Sequence, residues 1–530
     1  MRIGFSTIYS WRPHVEHAYF LSRLVEKAGH EAYFLTCDSN LPTCYTRELR
    51  PNNLGVGHCV GCRLGGFRSY ARKRVASIGD FAGEELVDAD RAVGWAESSA
   101  ATLGRFETDE EFASDEFAAL VRKLTPTSQI AYSAARAWIE RERLDAVCVF
   151  NGRMDATRAI MEAVRDAGKR CISMERTWFG DGLQLLPDES CLGMQSVHRI
   201  VADFHHKPLL RDQALKAAGH IASRFLRTNN TEYRAYNVGA VNQIWPAQAG
   251  SLRLLFLPGS RNEVLGHPDW DDGWGDKTRA FDALLEQLGD RSLSMILRCH
   301  PNWGEKIGNC DGRSSERHFV EWAERRGIRV IASRDTTSTL GLIEQCDAIV
   351  VTGGSAALEA GILGKQVIAA SPANYAYAGF QDRFFNLSDG ASLIVGDPSD
   401  PVKRQQVERS RARQTLRFAY SAIYRAPQYV NEVRCIATTR YEYADASPDR
   451  LMNLIKTGVL DPDDVVFADN TNEEDEVLDL IADRKWHEIL DQSRRLAQKD
   501  VTGRQELSRR MPYQLVDTLR ERLPRGDFWG

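Results

Sequence analysis

The run Val351-Thr352-Gly353-Gly354-Ser355 breaks from strand-like residues into two glycines and a serine, and Ala356-Ala357-Leu358-Glu359 follows at helical spacing. Glycines let a backbone approach a ligand closely. The start of a helix offers amides and a dipole that favour an anion. Ser355 would cap this helix and also donate to a phosphate, and Glu359, one turn on, would accept from ribose hydroxyls. The plainer reading is a tight strand-to-helix turn with a serine N-cap. Two enzyme classes fall away. Gln366 stands after Gly364-Lys365 where a nucleotide-triphosphate loop needs Ser or Thr, and Ala357 replaces the last glycine of a hydrolase nucleophile elbow.

Other groups with chemical capacity recur at strand exits. His300-Pro301 ends an apolar run, where an imidazole can bond a phosphate or protonate a leaving group. Pro258-Gly259-Ser260-Arg261 with Glu263 offers amides, a hydroxyl and a guanidinium to the same rim. Asn151, Arg153 and Arg158 follow a second apolar run, and Glu175-Arg176 a third; they read as a polar ligand site or as an ion pair between loops. His14, Glu16 and His17 lie at the first strand's exit, where a base would face a second domain, although Glu16 suits helix capping equally well. Cys37, Cys44, Cys59 and Cys62 form C-x6-C-x14-C-x2-C with His58 beside them. Four thiolates at such spacing suit a structural zinc or, less well, an iron–sulfur cluster; the alternatives are separate buried thiols or a redox pair. Asp269-Trp270-Asp271 has the form of a metal-binding Asp-x-Asp, but arises by chance in a loop rich in Trp, Gly and Asp.

The elements that must position these groups alternate. Strands are expected at 3–5, 32–35, 146–150, 171–174, 252–257, 294–299, 330–331, 348–351 and 367–370. Helices are expected at 18–28, 130–143, 158–167, 206–227, 279–288, 315–326 and 355–363, the 206–227 block broken by Asn229-Asn230. Residues 80–115 read as helix and loop. This is an α/β chain of two Rossmann-like domains facing a cleft, 1–245 and 246–410, with a C-terminal helical region over 411–530 that includes the acid-rich stretch Glu473-Glu474-Asp475-Glu476. Ligands of such sheets sit beyond the carboxyl ends of the strands.

Of the 530 residues, 43% are hydrophobic and 27% charged, ordinary for a globular chain. Lys+Arg 68 against Asp+Glu 73 leaves a net charge of −5, with no general attraction to nucleic acid. No apolar run reaches the ~18 residues of a membrane span, and the first residues lack a signal-peptide core. Eleven cysteines without an export signal point to a reducing compartment, so the expected location is cytoplasmic, with peripheral membrane association as a further expectation.

The chain resembles GT-B glycosyltransferases of the bacterial surface-polysaccharide type: capsule, O-antigen and exopolysaccharide. Three stretches carry the resemblance. Leu340–Asp347 running into Gly353–Ala360 and Gly364–Ile368 is similar to their donor-site serine/glutamate segment. Arg298-Cys299-His300-Pro301 is similar to the His-Pro motif of capsule sugar transferases and related polymer glycerophosphotransferases. Phe150–Arg153 with Arg158-Ala159 and Glu175-Arg176 resembles a segment of the same group. The resemblance implies a nucleotide-sugar donor, with Pro258, Gly259, Ser260, Arg261, Glu263, Gly353, Gly354, Ser355 and Glu359 on the donor side and His300, Glu16 and His17 as catalytic candidates. Asn151, Arg153, Arg158, Glu175 and Arg176 would line the acceptor side, the acceptor being a glycan or lipid-linked chain. The four cysteines and the segment beyond residue 447 lie outside the pattern. Metal-independent sugar transfer is the leading expectation; the alternatives are polyol-phosphate transfer from a CDP-linked donor and a non-catalytic sugar-nucleotide-binding assembly protein.

Overall fold

A computed structural model describes residues 1–50, 55–81, 87–178, 180–229, 231, 239–246, 250–497 and 503–521. Asn230, expected to help break a helix, lies outside these residues. The first sheet holds β1 (Arg2–Ser6), β2 (Glu31–Thr36), β3 (Val75–Ser77), β4 (Ala146–Phe150), β5 (Arg170–Arg176) and β6 (Leu183–Pro187) in the order β3-β2-β1-β4-β5-β6. All neighbours are parallel except β6, which runs antiparallel to β5 along the edge. The second sheet holds β7 (Leu252–Leu257) and β8 (Leu293–Arg298), then, past a small hairpin of β9 (Lys306–Ile307) and β10 (Cys310–Asp311), β11 (Arg329–Ile331), β12 (Ala348–Val351), β13 (Gln366–Ala369) and β14 (Gln381–Arg383). Its order is β11-β8-β7-β12-β13-β14, all parallel. Each sheet thus repeats the 3-2-1-4-5-6 winding of a dinucleotide-binding fold, with its switch point between β1 and β4 or between β7 and β12. The architecture is GT-B-like: two Rossmann-like domains plus a C-terminal, largely helical region.

Apolar composition explains the central strands. Ala146-Val147-Cys148-Val149-Phe150 and Ala348-Ile349-Val350-Val351 are buried at every residue, as strands covered by helices on both faces must be. The covering helices of the first domain are α1 (His14–Lys27), α2 (Gly55–Gly65), α3 (Ala89–Gly104), α4 (Asp115–Glu142) and α5 (Asp155–Asp166). Helix α1 begins at His14, a full turn before the expected start. It follows Pro13, whose restricted backbone suits the entrance of a helix. His14 and His17 consequently share one helical face, and Glu16 points elsewhere. The expected helix over 206–227 is α7 (Arg211–Phe225), which starts late because Pro208 has no N–H to join a helical ladder; α6 (Gln195–Phe204) precedes it and was not expected. The second domain adds α8 (Lys277–Leu288), α9 (Arg313–Arg325), α10 (Thr339–Gln345) and α11 (Ala356–Ile362).

Helix α12 (Pro401–Tyr420) leads into the C-terminal region. That region is not wholly helical. A hairpin of β15 (Val433–Ala437) and β16 (Arg440–Tyr443) precedes α13 (Asp449–Thr457), α14 (Asn472–Ala482), α15 (Trp486–Ala497) and α16 (Met511–Glu521). The hairpin returns to the first domain, where the Tyr443 hydroxyl bonds His17 Nδ1 at 2.8 Å. The acid-rich stretch ties elements of the chain together through ion pairs. Glu474 is 0% exposed and pairs with Arg417 at 2.5 Å and Arg413 at 3.0 Å. Asp475 takes Arg409 and Arg413, and Glu476 takes Arg211 from α7. Carboxylates on α14 therefore bind arginines of α7 and α12 into one packed unit.

Candidate functional site

The carboxyl ends of the two sheets face each other, and bonds cross between them. From the first domain, Arg105 donates to the carbonyls of Glu305 at 2.8 Å and Asn302 at 3.0 Å. Thr102 donates to the Asn262 carbonyl at 3.2 Å, and Arg153 to that of Glu263 at 2.6 Å. From the second domain, Asp269 accepts from the Met194 N–H at 2.8 Å and from Gln195 Nε2 at 2.8 Å, at the start of α6. Trp270 donates to the Leu192 carbonyl at 2.8 Å. Asp269 therefore serves as an interdomain cap. A cavity of about 670 Å³ lies elsewhere, between α8 and residues 386–388.

On the second rim, Gly353 turns the chain at φ +108, and a Cβ there would sit 3.0 Å from the Trp270 ring. Gly353→Ala is expected to cost about 1–3 kcal/mol through backbone strain, read as a lowered midpoint in denaturant. Gly354 is exposed, with nothing within 4 Å of its Cβ direction. Ser355 does not act as the expected side-chain cap: its backbone is already helical and its hydroxyl makes no capping bond. Instead that hydroxyl accepts from Arg224 Nη1 at 3.1 Å, which leaves its own hydrogen to donate. Arg224, on α7, also forms an ion pair with buried Glu359. Glu359, expected to meet a ribose, is thus held by a guanidinium the sequence reading missed.

Neighbouring turns are tied down. The Gly259 N–H donates to Thr352 Oγ1 at 2.6 Å, closing the β7/β12 switch point beside buried Pro258. Ser260 accepts from Trp303 Nε1 at 2.6 Å. Arg261, expected on the donor side, lies over the Phe112 ring and pairs with Asp109 at 2.6 Å. Glu263 is exposed and accepts from Asn302 Nδ2 at 3.2 Å. His300 accepts the Asn302 N–H on Nδ1 at 3.2 Å, so a neutral ring carries its proton on Nε2. Burial lowers its pKa against the opposing pull of Glu263. Burial thus favours the neutral imidazole, a hydrogen-bonding group.

Beside this junction, Glu107 of the first domain accepts from Ser315 Oγ at 2.8 Å and from the Arg261 N–H at 3.1 Å. Burial pushes its carboxyl up to about 7, against about 4.3 for an unfolded glutamate. The folded state therefore holds an extra proton between those values. Stability falls as pH rises through that window, by on the order of 3 kcal/mol in all. Glu107→Gln is expected to flatten this slope in a melting series run from about pH 4 to about pH 7.5.

On the first rim, Glu175 gathers three donors. Asn151 Nδ2 reaches it at 2.9 Å, the Arg176 N–H at 3.0 Å, and His14 Nε2 at 3.2 Å. Asn151 adopts φ 65, and its carbonyl accepts from the Cys191 N–H at 2.8 Å, which fixes the turn after β4. The His14 ring lies 4.3 Å from that of Phe150, and its Nδ1 is buried without a hydrogen-bond partner. Burial lowers the pKa of His14, with Glu175 opposing; its place in the first turn of α1 acts in the same direction as burial. An imidazole oriented by a carboxylate is the arrangement of a general base.

Other expected site residues turn away. Glu16 bonds Tyr70 at 2.7 Å and Arg12 at 3.1 Å. His17 is covered by Tyr441 and Tyr443, and burial drives its pKa well down. Arg158 pairs with Glu162 on its own helix at 2.8 Å, and Arg176 donates to the Thr438 carbonyl of the hairpin at 3.0 Å. The first-rim residues brought together are therefore Asn151 and Glu175, with His14 added and Arg153 reaching across.

Cys37, Cys44, Cys59, Cys62 and His58 do line one small cavity of about 20 Å³. Among the described residues, however, no group of three or more His, Cys, Asp or Glu is placed to hold a metal ion, so the zinc and iron–sulfur expectation finds no support there. Cys44 meets Thr46 at 3.0 Å, Thr46 meets His58 at 3.1 Å, and burial pushes the Cys37 and Cys44 thiols up to about 12 and about 11. All four cysteines are half-buried and free of disulfides.

No protein-family model matches the chain, and no curated protein sequence does. Solved structures it is similar to include a β-Kdo 2,4 transferase, KpsC, of Thermosulfurimonas dismutans, at 16% identity over 64% of this chain and 87% of that one, TM-score 0.33. Another is the UDP-GlcNAc 2-epimerase of Methanocaldococcus jannaschii, at 12% identity over 73% and 90%, TM-score 0.27. A third is the glycosyltransferase SsfS6 of Streptomyces sp. SF2575, at 12% over 78% and 95%, TM-score 0.19. Superpositions this loose transfer no residue and no activity. No described helix is long and apolar enough to cross a membrane.

Proposed function

We propose that the protein transfers a sugar from a nucleotide-activated donor to an acceptor hydroxyl on a surface glycan or lipid-linked chain. What supports this reading is a pair of half-sites, each at the carboxyl end of its sheet's strands. The His14–Glu175 pair lies at the carboxyl ends of β1 and β5, and the Gly353-Gly354-Ser355 turn with Arg224 lies at the end of β12. In this reading the donor diphosphate lies on the glycine turn and takes a hydrogen bond from Ser355. His300, through its protonated Nε2, donates to the leaving phosphate. Stabilising the charge that develops as the nucleotide departs is the main electrostatic task, met here by side chains and amides without a metal. His14 removes the acceptor proton, and Glu175 steadies the imidazolium that forms.

A thermal-shift panel of UDP, GDP, TDP, CDP and CMP tests the donor half-site. A nucleotide that binds the folded state should stabilise it by about 2.7 kcal/mol at a hundredfold excess over its dissociation constant. Ser355→Ala should shrink that shift without changing the unliganded midpoint. No shift with any member of the panel would remove the donor assignment.

A further inference from the structure

Among the described residues, helix α16 carries an exposed apolar stripe. Met511, Leu515 and Leu519, four residues apart on one face, are 73%, 59% and 63% exposed. The beginning of α16 is fastened to the first domain. Arg509 donates to the Leu64 carbonyl, and Arg510 donates through its backbone N–H to Ser69 at 2.8 Å and through its guanidinium to the Arg68 carbonyl at 3.0 Å. These bonds seat the stripe's origin against residues 64–69. On one side of that segment stand Val60, 50% exposed, and exposed Arg63; on the other stand exposed Arg72 and Lys73. Asp517, an acidic residue within α16, is taken by Arg509. In a chain of net charge −5, exposed cations thus flank the anchored start of an apolar ridge that stands exposed among the described residues.

We propose that this face docks on an anionic lipid surface. Apolar side chains at helical spacing beside Lys and Arg are the features that let a helix lie in a headgroup region, the apolar edge entering the acyl boundary while the cations meet phosphates. Cations near an anionic leaflet each add to the attraction, which fades within a Debye length. A neutral apolar partner would leave Arg63, Arg72 and Lys73 unmatched.

Co-sedimentation of the full chain with vesicles tests the proposal, using phosphatidylcholine alone and phosphatidylcholine mixed with phosphatidylglycerol. The protein should sediment with the mixed vesicles, stay in solution with the neutral ones, and be released by high salt. Leu515→Asp with Leu519→Asp should abolish binding. Arg72→Glu with Lys73→Glu should weaken it by about tenfold or more. Unchanged melting midpoints would show that both variants fold. The proposal is overturned if the wild type ignores anionic vesicles or if the variants bind as it does. It is also overturned if light scattering finds a dimer that Leu515→Asp dissociates, since a second copy would then cover the ridge. Partition is read here, not turnover, so the result stands apart from the transferase reading.

Discussion

Replacing His14 with alanine is expected to lower sugar transfer by about 10²–10⁴-fold while nucleotide binding on the opposite rim survives. The imidazole has one nitrogen on Glu175 at 3.2 Å, and its other nitrogen is buried without a partner. That second nitrogen is the one an acceptor hydroxyl would engage, so its loss removes a proton acceptor and leaves the donor's contacts intact. A structural role would give a different signature: a lowered melting midpoint with proportionate losses of binding and turnover. The pH profile separates the two further. Burial holds His14 below the ordinary histidine range, so the neutral base form persists through neutrality and turnover should fall only on the acid side. Glu175 favours the imidazolium. Glu175→Gln should therefore move the acid limb to still lower pH and reduce the maximum, because the developing cation has lost its partner.

Arg224→Met is expected to destabilise the fold by about 3–5 kcal/mol, since it removes the guanidinium paired with the buried Glu359 carboxylate. Restoring neutrality with Glu359→Gln in the same chain should recover most of that loss, as removing both charges of a buried pair is far less costly than removing one. Chemical denaturation of the two single variants and the double variant closes the cycle. The double variant, once stable, also reads function. Arg224 bonds Ser355 at the donor turn, so the folded double variant should bind nucleotide more weakly than the parent. Parent-like affinity there would make Arg224 and Glu359 a purely structural pair.

The strands were legible because their signal is local: apolar runs such as 146–150 and 348–351 need burial on both faces, and their spacing with helices implies parallel winding. Pro208 was also readable as a helix break, and a continuous helix over 206–227 overlooks it. The hairpin at 433–443 was hidden by the charged helices around it, and the short edge strand 183–187 by its closing proline. At the site, the rim positions Asn151, Glu175, His300 and Ser355 follow from strand ends alone. What single-chain spacing does not contain is which neighbour each side chain chooses. Arg224 lies 131 residues from Ser355, and Asp109 lies 152 from Arg261, so these pairings exist only once the domains meet. Helix α1 shows the same limit. Starting it one turn earlier, at His14, turns Glu16 toward Tyr70 and hands the carboxylate partnership to Glu175.

Release of free nucleotide from a panel of nucleotide sugars, with and without candidate acceptors, tests transfer most directly. The account predicts that one donor is consumed by the wild-type chain faster with acceptor than without, that His300→Ala and Ser355→Ala each lower the rate, and that both variants keep the parent melting midpoint. Equal nucleotide release by the parent and both folded variants, or no release from any donor that binds, would contradict it.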